Sequence, residues 1–162
     1  MSDGSDGSDG SDTRPEVSHH DRRVVVGIDG STGSDKALLW AAAQAQRTGA
    51  ILEVVGAWSI PAAAGYTPGV VFEEFEKAVE DVSDQAVTRA TELYPDLEVQ
   101  QRIVESPAAP ALVEASEGAE LLVVGSRGRG GFRELLLGSV SQYCAHHADC
   151  PVVIVPSHTR SS

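Results

Sequence analysis

The sequence predicts an α/β, Rossmann-like domain: an open parallel sheet of five strands with helices on both faces. Three observations carry this. The short apolar runs are continuous, as in strands buried on both faces, and do not alternate with polar residues. From Arg23 onward they take turns with segments of helical period, which implies right-handed crossovers between parallel strands. A glycine-rich bend follows the fourth run, where such a sheet delivers its loops to a ligand crevice.

The first strand is Val24-Val25-Val26-Gly27-Ile28, ending at Asp29. Ser34 is a candidate cap for the first helix, with Asp35 in its opening turn. Leu38, Ala41, Ala42 and Ala45 mark one helix face, and Gly49 stops it. Ile51 to Ala57 reads as the second strand, and Ser59 to Gly69 as a loop. A long helix follows from about Val71 to Tyr94, expected to bury Phe75, Ala78, Val79, Val82, Ala86 and Leu93. Leu97 to Val104 makes the third strand. Ser106-Pro107 then offers a cap and a first-turn proline, with Pro110 able to shift the start later and Gly118 closing the helix. Leu121 to Val124 is strand four, Ser139 to Ala148 a helix, and Val152 to Val155 strand five.

The 162 residues fit one domain, bounded at about 23–157, with a short flexible tail over 158–162. Residues 1 to about 22 repeat Ser-Asp-Gly and carry six acids up to Asp21 against one base, Arg14. Such a segment cannot bury enough apolar surface to offset ordering its backbone, so it is expected to be a disordered leader. The net charge of −12 argues against nucleic acid as a partner. Neither a secretory signal nor an apolar run of about 18 residues is present, so a cytoplasmic protein with no membrane partner is expected. Cys144 and Cys150 read as buried thiols.

The bend Gly125-Ser126-Arg127-Gly128 is separated by nine residues from Gly138-Ser139. Strand, glycines and helix start together make a seat for phosphate, because glycine admits close approach and the first helical amides lack internal partners. Arg127 is a candidate phosphate ligand through its guanidinium, or else a solvated loop charge. Arg129 and Arg133 read as surface or dimer-rim residues in preference to phosphate contacts. Asp29 could accept from both hydroxyls of a ribose, or merely cap a turn with Ser31. Trp58 reads as packing or a hydrophobic cover in preference to a purine stack.

At these positions the chain resembles the ATP-binding branch of the universal stress protein family. The resemblance runs from Arg23 to Pro156 and rests on Val25 to Ser31, on the ungapped G-x2-G-x9-G-[ST] pattern, and on Cys150 to Val155. It implies strand order 3-2-1-4-5, ATP or another adenine nucleotide such as AMP or cyclic AMP, and a homodimer often made through strand 152–155. It also implies site residues. Asp29 would hold the ribose, Gly27 and Ile28 would flank adenine, and the main chain near Ala57 would read its edge. Gly125, Arg127 and Gly128 would line the phosphate path, with Val124 also among the binding residues and with Gly125 and Gly138 alternatively serving turn geometry alone. Gly138, Ser139, Val140 and Ser141 would bind phosphates through amides and hydroxyls.

Other chemistries lack support. Gly125 to Gly130 has P-loop spacing, but Gly131 stands where lysine must be. Cys144, His146, His147 and Cys150 look like zinc ligands, yet Val140, Tyr143, Cys144 and His147 are expected to form the helix's inner stripe, leaving His146 pointing elsewhere. No nucleophile elbow is present. The expectation is a nucleotide-binding protein of stress adaptation or signalling with slow or no hydrolysis, Mg²⁺ being held at most through water or phosphate oxygens. The rivals are a true ATPase or nucleotidyl transferase, and a nucleotide-free interaction module.

Overall fold

The computed structural model describes residues 22–62, 72–129 and 137–157. The leader up to Asp21, most of the loop after Pro61, Arg133 and the tail from 158 lie outside the described residues.

Five strands form one parallel sheet in the order β3-β2-β1-β4-β5. They are β1 (Arg23–Ile28), β2 (Ile51–Trp58), β3 (Val99–Glu105), β4 (Leu121–Gly125) and β5 (Val152–Val155). The helices are α1 (Thr32–Thr48), α2 (Phe72–Leu93), α3 (Ala108–Ser116) and α4 (Ser139–His147). Alternation along β1 explains the unbroken apolar runs. Val24, Val26 and Ile28 face one core with Leu38, Ala41, Ala45, Leu52 and Ala86. Val25 faces the other core with Val55, Leu112, Leu122, Val124 and Cys144. A strand with a core on each side has no polar face to show. Each buried Leu or Val here contributes about 1.5–3 kcal/mol.

Four helix readings need correction. The N-cap of α1 is Ser31, whose hydroxyl accepts from Ser34 N at 3.2 Å. Ser34 cannot be the cap because its own hydroxyl turns back to Ser31 O, 3.0 Å away. In α2 the sheet-facing positions are Ser83, Ala86 and Ala90; Phe75 and Leu93 remain 41% and 53% exposed. Small residues win that face because the helix lies very close to β2: a Cβ on Gly56 would sit 2.6 Å from Val79 Cγ1 and 2.7 Å from Ser83 Oγ. Helix α3 starts at Ala108, with Pro107 as its N-cap and no side-chain cap bond; Ser106 Oγ bonds Pro107 O instead.

In α4 the buried positions are Ser141 and Cys144, with Val140 packed beside them. Tyr143 and His147, expected inside, are exposed and stack on one another with centroids 4.1 Å apart. The helix is turned this way because Ser141 Oγ donates to Ser126 O and Gly138 O at its base. Among the described residues, no helix is long and apolar enough to cross a membrane.

Candidate functional site

Strands β1 and β4 are neighbours, paired Val24 to Leu121 through Val26 to Val123. From β1 the chain winds outward through β2 to β3, and from β4 it winds the other way to β5. A crevice at such a reversal is where open α/β sheets take ligands.

A cavity opens there, and all twelve residues singled out from the sequence line it: Gly27, Ile28, Asp29, Ala57, Val124, Gly125, Arg127, Gly128, Gly138, Ser139, Val140 and Ser141. Its walls divide by chemistry. Gly27, Ile28, Val55, Ala57, Ala108 and Leu112 make an apolar end, whereas the 125–129 bend and the start of α4 make a polar one. Asp29 stands with the polar groups.

The carboxylate of Asp29 is held on both oxygens. Oδ1 accepts from Ser31 N at 2.9 Å, and Oδ2 accepts from Arg129 N at 3.1 Å. Burial acts to raise its pKa, but hydrogen bonds from Ser31, Arg129 and Ser34 outweigh burial and hold it below the ordinary carboxylate value. It is therefore ionised at neutral pH. Each oxygen retains acceptor capacity beyond its one backbone donor.

The glycines have separate reasons. A Cβ on Gly128 would lie 2.6 Å from Asp29 Oδ2. A Cβ on Gly125 would lie 2.8 Å from the carbonyl of Gly33, and one on Gly33 only 2.5 Å from Arg127 O. The bend and the first turn of α1 thus cross backbone to backbone. Gly138 closes the bend, its amide donating to Ser126 O at 2.6 Å.

That closure corrects one expectation. The amide of Gly138 and the hydroxyl of Ser141 are engaged within the bend, so neither is the phosphate donor foreseen for it. Amides 139–141 differ. The first bond inside α4 runs from Gln142 N to Gly138 O, so these three lack intrahelical partners and sit at the positive end of the helix dipole. Ser126 anchors the bend from beneath: its hydroxyl accepts from Ser157 N at 3.1 Å and also pairs with Ser157 Oγ.

Sequence reasoning missed Ser31, Ser34, Val55, Ala108 and Leu112 on the cavity wall, and assigned Arg129 to the rim, whereas it lines the cavity. The first turns of α1 and α3 follow strand ends at the same carboxyl end of the sheet, and that placement was the available signal. Trp58 is half-buried and lies outside the lining. Among the described residues, no cluster of three or more His, Cys, Asp or Glu could hold a metal ion.

Fold and cavity together define a doubly wound α/β protein whose crevice at the reversal is built from a strand-end aspartate and a glycine-rich bend. The sequence model of the universal stress protein family matches residues 21–156, and the chain belongs to that family. A universal stress protein of Mycolicibacterium smegmatis is 39% identical over 140 residues, covering 84% of this chain and 47% of its own length. One from Mycobacterium tuberculosis is 40% identical over 131 residues, covering 81% and 44%. The chain thus spans a little under half the length of these relatives. Among solved structures, a universal stress protein in complex with cAMP is 29% identical with a TM-score of 0.64, over 85% of this chain and 98% of that one. A family member from Burkholderia pseudomallei is 28% identical with a TM-score of 0.65, over 86% and 98%.

Proposed function

We propose that the cavity binds an adenine nucleotide, ATP foremost, and that the protein serves stress adaptation or signalling in the cytoplasm. One observation carries the reading: an ionised Asp29 carboxylate, bonded to the glycine bend and with acceptor capacity to spare, lines a cavity that also has an apolar end. A purine suits the apolar end beside Gly27, Ile28 and Ala57. Its ribose hydroxyls would donate to Asp29, and its phosphates would run past Val124, Gly125, Arg127 and Gly128 toward the amides of Ser139, Val140 and Ser141. The cAMP complex of a 29% identical relative supports the same ligand class.

Hydrolysis is slow or absent in this reading. Among the described residues lining the cavity, Asp29 is the one carboxylate, and it already serves backbone amides. No second carboxylate is placed there as a general base, and positioning alone leaves most of the barrier intact. The same donor set does not form a cage for Mg²⁺, which would be held through phosphate oxygens and water.

Among the described residues β5 is an edge strand with no partner on its outer side, which supports a homodimer, because natural proteins rarely leave an apolar strand edge open. Sedimentation as a monomer at micromolar concentration refutes that part. For the ligand, thermal shifts with ATP, ADP, AMP and cyclic AMP are the first test; saturating ligand at about 100 times Kd adds about 2.7 kcal/mol. Asp29→Asn should then weaken ATP about tenfold or more and weaken 2′,3′-dideoxy-ATP distinctly less, since charged hydrogen bonds contribute about 1.5–3 kcal/mol and only the first ligand has ribose hydroxyls to lose. No shift with any of the four nucleotides overturns the proposal in favour of an interaction module, in which the crossing at Gly33 and Gly125 is purely structural.

A further inference from the structure

Glu53 is a charged residue near the start of β2 and is 6% exposed. It lies on the sheet face shared with Val55, beneath α3. Two arginines meet it: Arg23 in a close ion pair from β1, and Arg102 from β3 at 3.8 Å. Neither stops there. Arg23 also donates to the carbonyls of Ala115 at 3.3 Å and Glu117 at 2.7 Å, and Arg102 donates to Glu114 at 2.8 Å. Both arginines therefore link the buried carboxylate to the C-terminal part of α3 and its cap, where a helix favours cations.

The other half of α3 contributes one wall of the cavity's apolar end. Ala108 and Leu112 line it, and Leu112 is pressed so close to β1 that a Cβ on Gly27 would lie 2.8 Å from its Cδ1. Because α3 spans only Ala108–Ser116, whatever fixes its far end also fixes the depth of Leu112. We propose that Glu53 is a positioning residue for base recognition: through Arg23 and Arg102 it sets how far Leu112 stands from Gly27, and so the width of the slot offered to the purine. This rests on the nucleotide reading of the cavity.

Without the carboxylate, Arg102 retains only Glu114, a partner 64% exposed, and exposed pairs hold little. Arg23 would sit part-buried with carbonyl partners alone. A slot altered by the width of about one methylene changes discrimination roughly tenfold or more.

The test uses the full chain with Glu53→Gln, which keeps size and removes charge, and Arg102→Met as a milder second variant. Two quantities are read: hydrogen exchange of the amides over 108–116, and the ratio of CTP to ATP dissociation constants, two ligands with the same ribose triphosphate. The expected result is faster exchange confined to α3 and an ATP preference lowered about tenfold in Glu53→Gln, with a smaller change in the same direction in Arg102→Met. If Glu53→Gln fails to fold, Arg102→Met decides. An unchanged ratio with a uniform loss of affinity or stability overturns the proposal, as does a wild-type chain that binds ATP and CTP equally. A wild-type chain that binds neither ends the nucleotide reading, and with it base recognition. The exchange of α3 still shows separately whether Glu53 clamps the helix.

Discussion

Arg129 donates its amide to Asp29 Oδ2 over 3.1 Å although the two residues are 100 positions apart. This bond ties the end of the first strand to the bend after the fourth, across the mouth of the cavity. It exists because Gly128, just before Arg129, leaves room for the carboxylate.

Replacing Gly128 by alanine tests that arrangement. The new Cβ would meet Asp29 Oδ2 at 2.6 Å, so the carboxylate must swing away and lose the Arg129 amide. We expect a stability loss of about 1–3 kcal/mol and a drop of at least tenfold in nucleotide affinity, read by urea unfolding and calorimetric titration. Wild-type affinity in this variant would show that the carboxylate's position is irrelevant to binding.

Acid unfolding should carry the signature of Asp29. Its folded pKa lies below the ordinary 3.8, so its stabilising contribution is complete above that value and fades as pH falls through the folded pKa. Urea midpoints of the wild type and Asp29→Asn should differ by a constant amount between pH 5 and 8. The gap should narrow below about pH 4. A gap that widens on acidification contradicts the direction of the shift.

The crossing of α1 over the bend should be intolerant of any side chain. In Gly33→Ala the added carbon faces Arg127 O at 2.5 Å, a backbone atom that cannot rotate aside. A loss of about 1–3 kcal/mol is expected, or roughly 3–10 °C in Tm. Gly49→Ala makes the comparison. Nothing lies within 4 Å of its new carbon, and only φ of +69° opposes it, costing about 1–2 kcal/mol. Asparagine, which tolerates that φ, should recover part of the loss at position 49 and none at 33.

Thiol reactivity should separate the two cysteines. Burial pushes the Cys144 thiol up to about 11, leaving almost no thiolate at pH 8 in a side chain with no exposed surface. Iodoacetamide at pH 8 should leave Cys144 intact in the native protein, modify Cys150 slowly, and label both in denaturant. Mass spectrometry of the peptides decides. Native labelling of Cys144 ahead of Cys150 would contradict the packing of α4.

Much of this architecture was legible in the sequence because strands buried on both faces announce themselves. Val24-Val25-Val26 leaves no polar side, and the glycine spacing fixes where the fourth strand turns. The cavity's polar wall was readable for the same reason, since Gly125 and Asp29 stand at strand ends and Gly128 in the bend just beyond. What stayed hidden depends on distances between elements. Ser83 faces the sheet in place of Phe75 because Gly56 draws α2 inward, and no periodicity reports such an approach. Ser141 reads as a phosphate donor from the sequence, but its Oγ lies within hydrogen-bond reach of Ser126 O and Gly138 O, contacts no spacing reports. Glu53 gave no warning either: a single acid in an apolar strand reads as an irregularity until two arginines from other strands arrive beside it.

The anchorage of Ser157 has a practical side for anyone handling this protein. Its amide and hydroxyl engage Ser126, and its carbonyl takes Lys36 Nζ at 2.6 Å, so the backbone leaving the final strand is laced to the underside of the ligand bend. A purification handle or fluorescent fusion joined tightly behind that residue would tug on the very loop whose occupancy an assay sets out to measure. A flexible spacer, or labelling at the opposite terminus, keeps the reporter from becoming an effector.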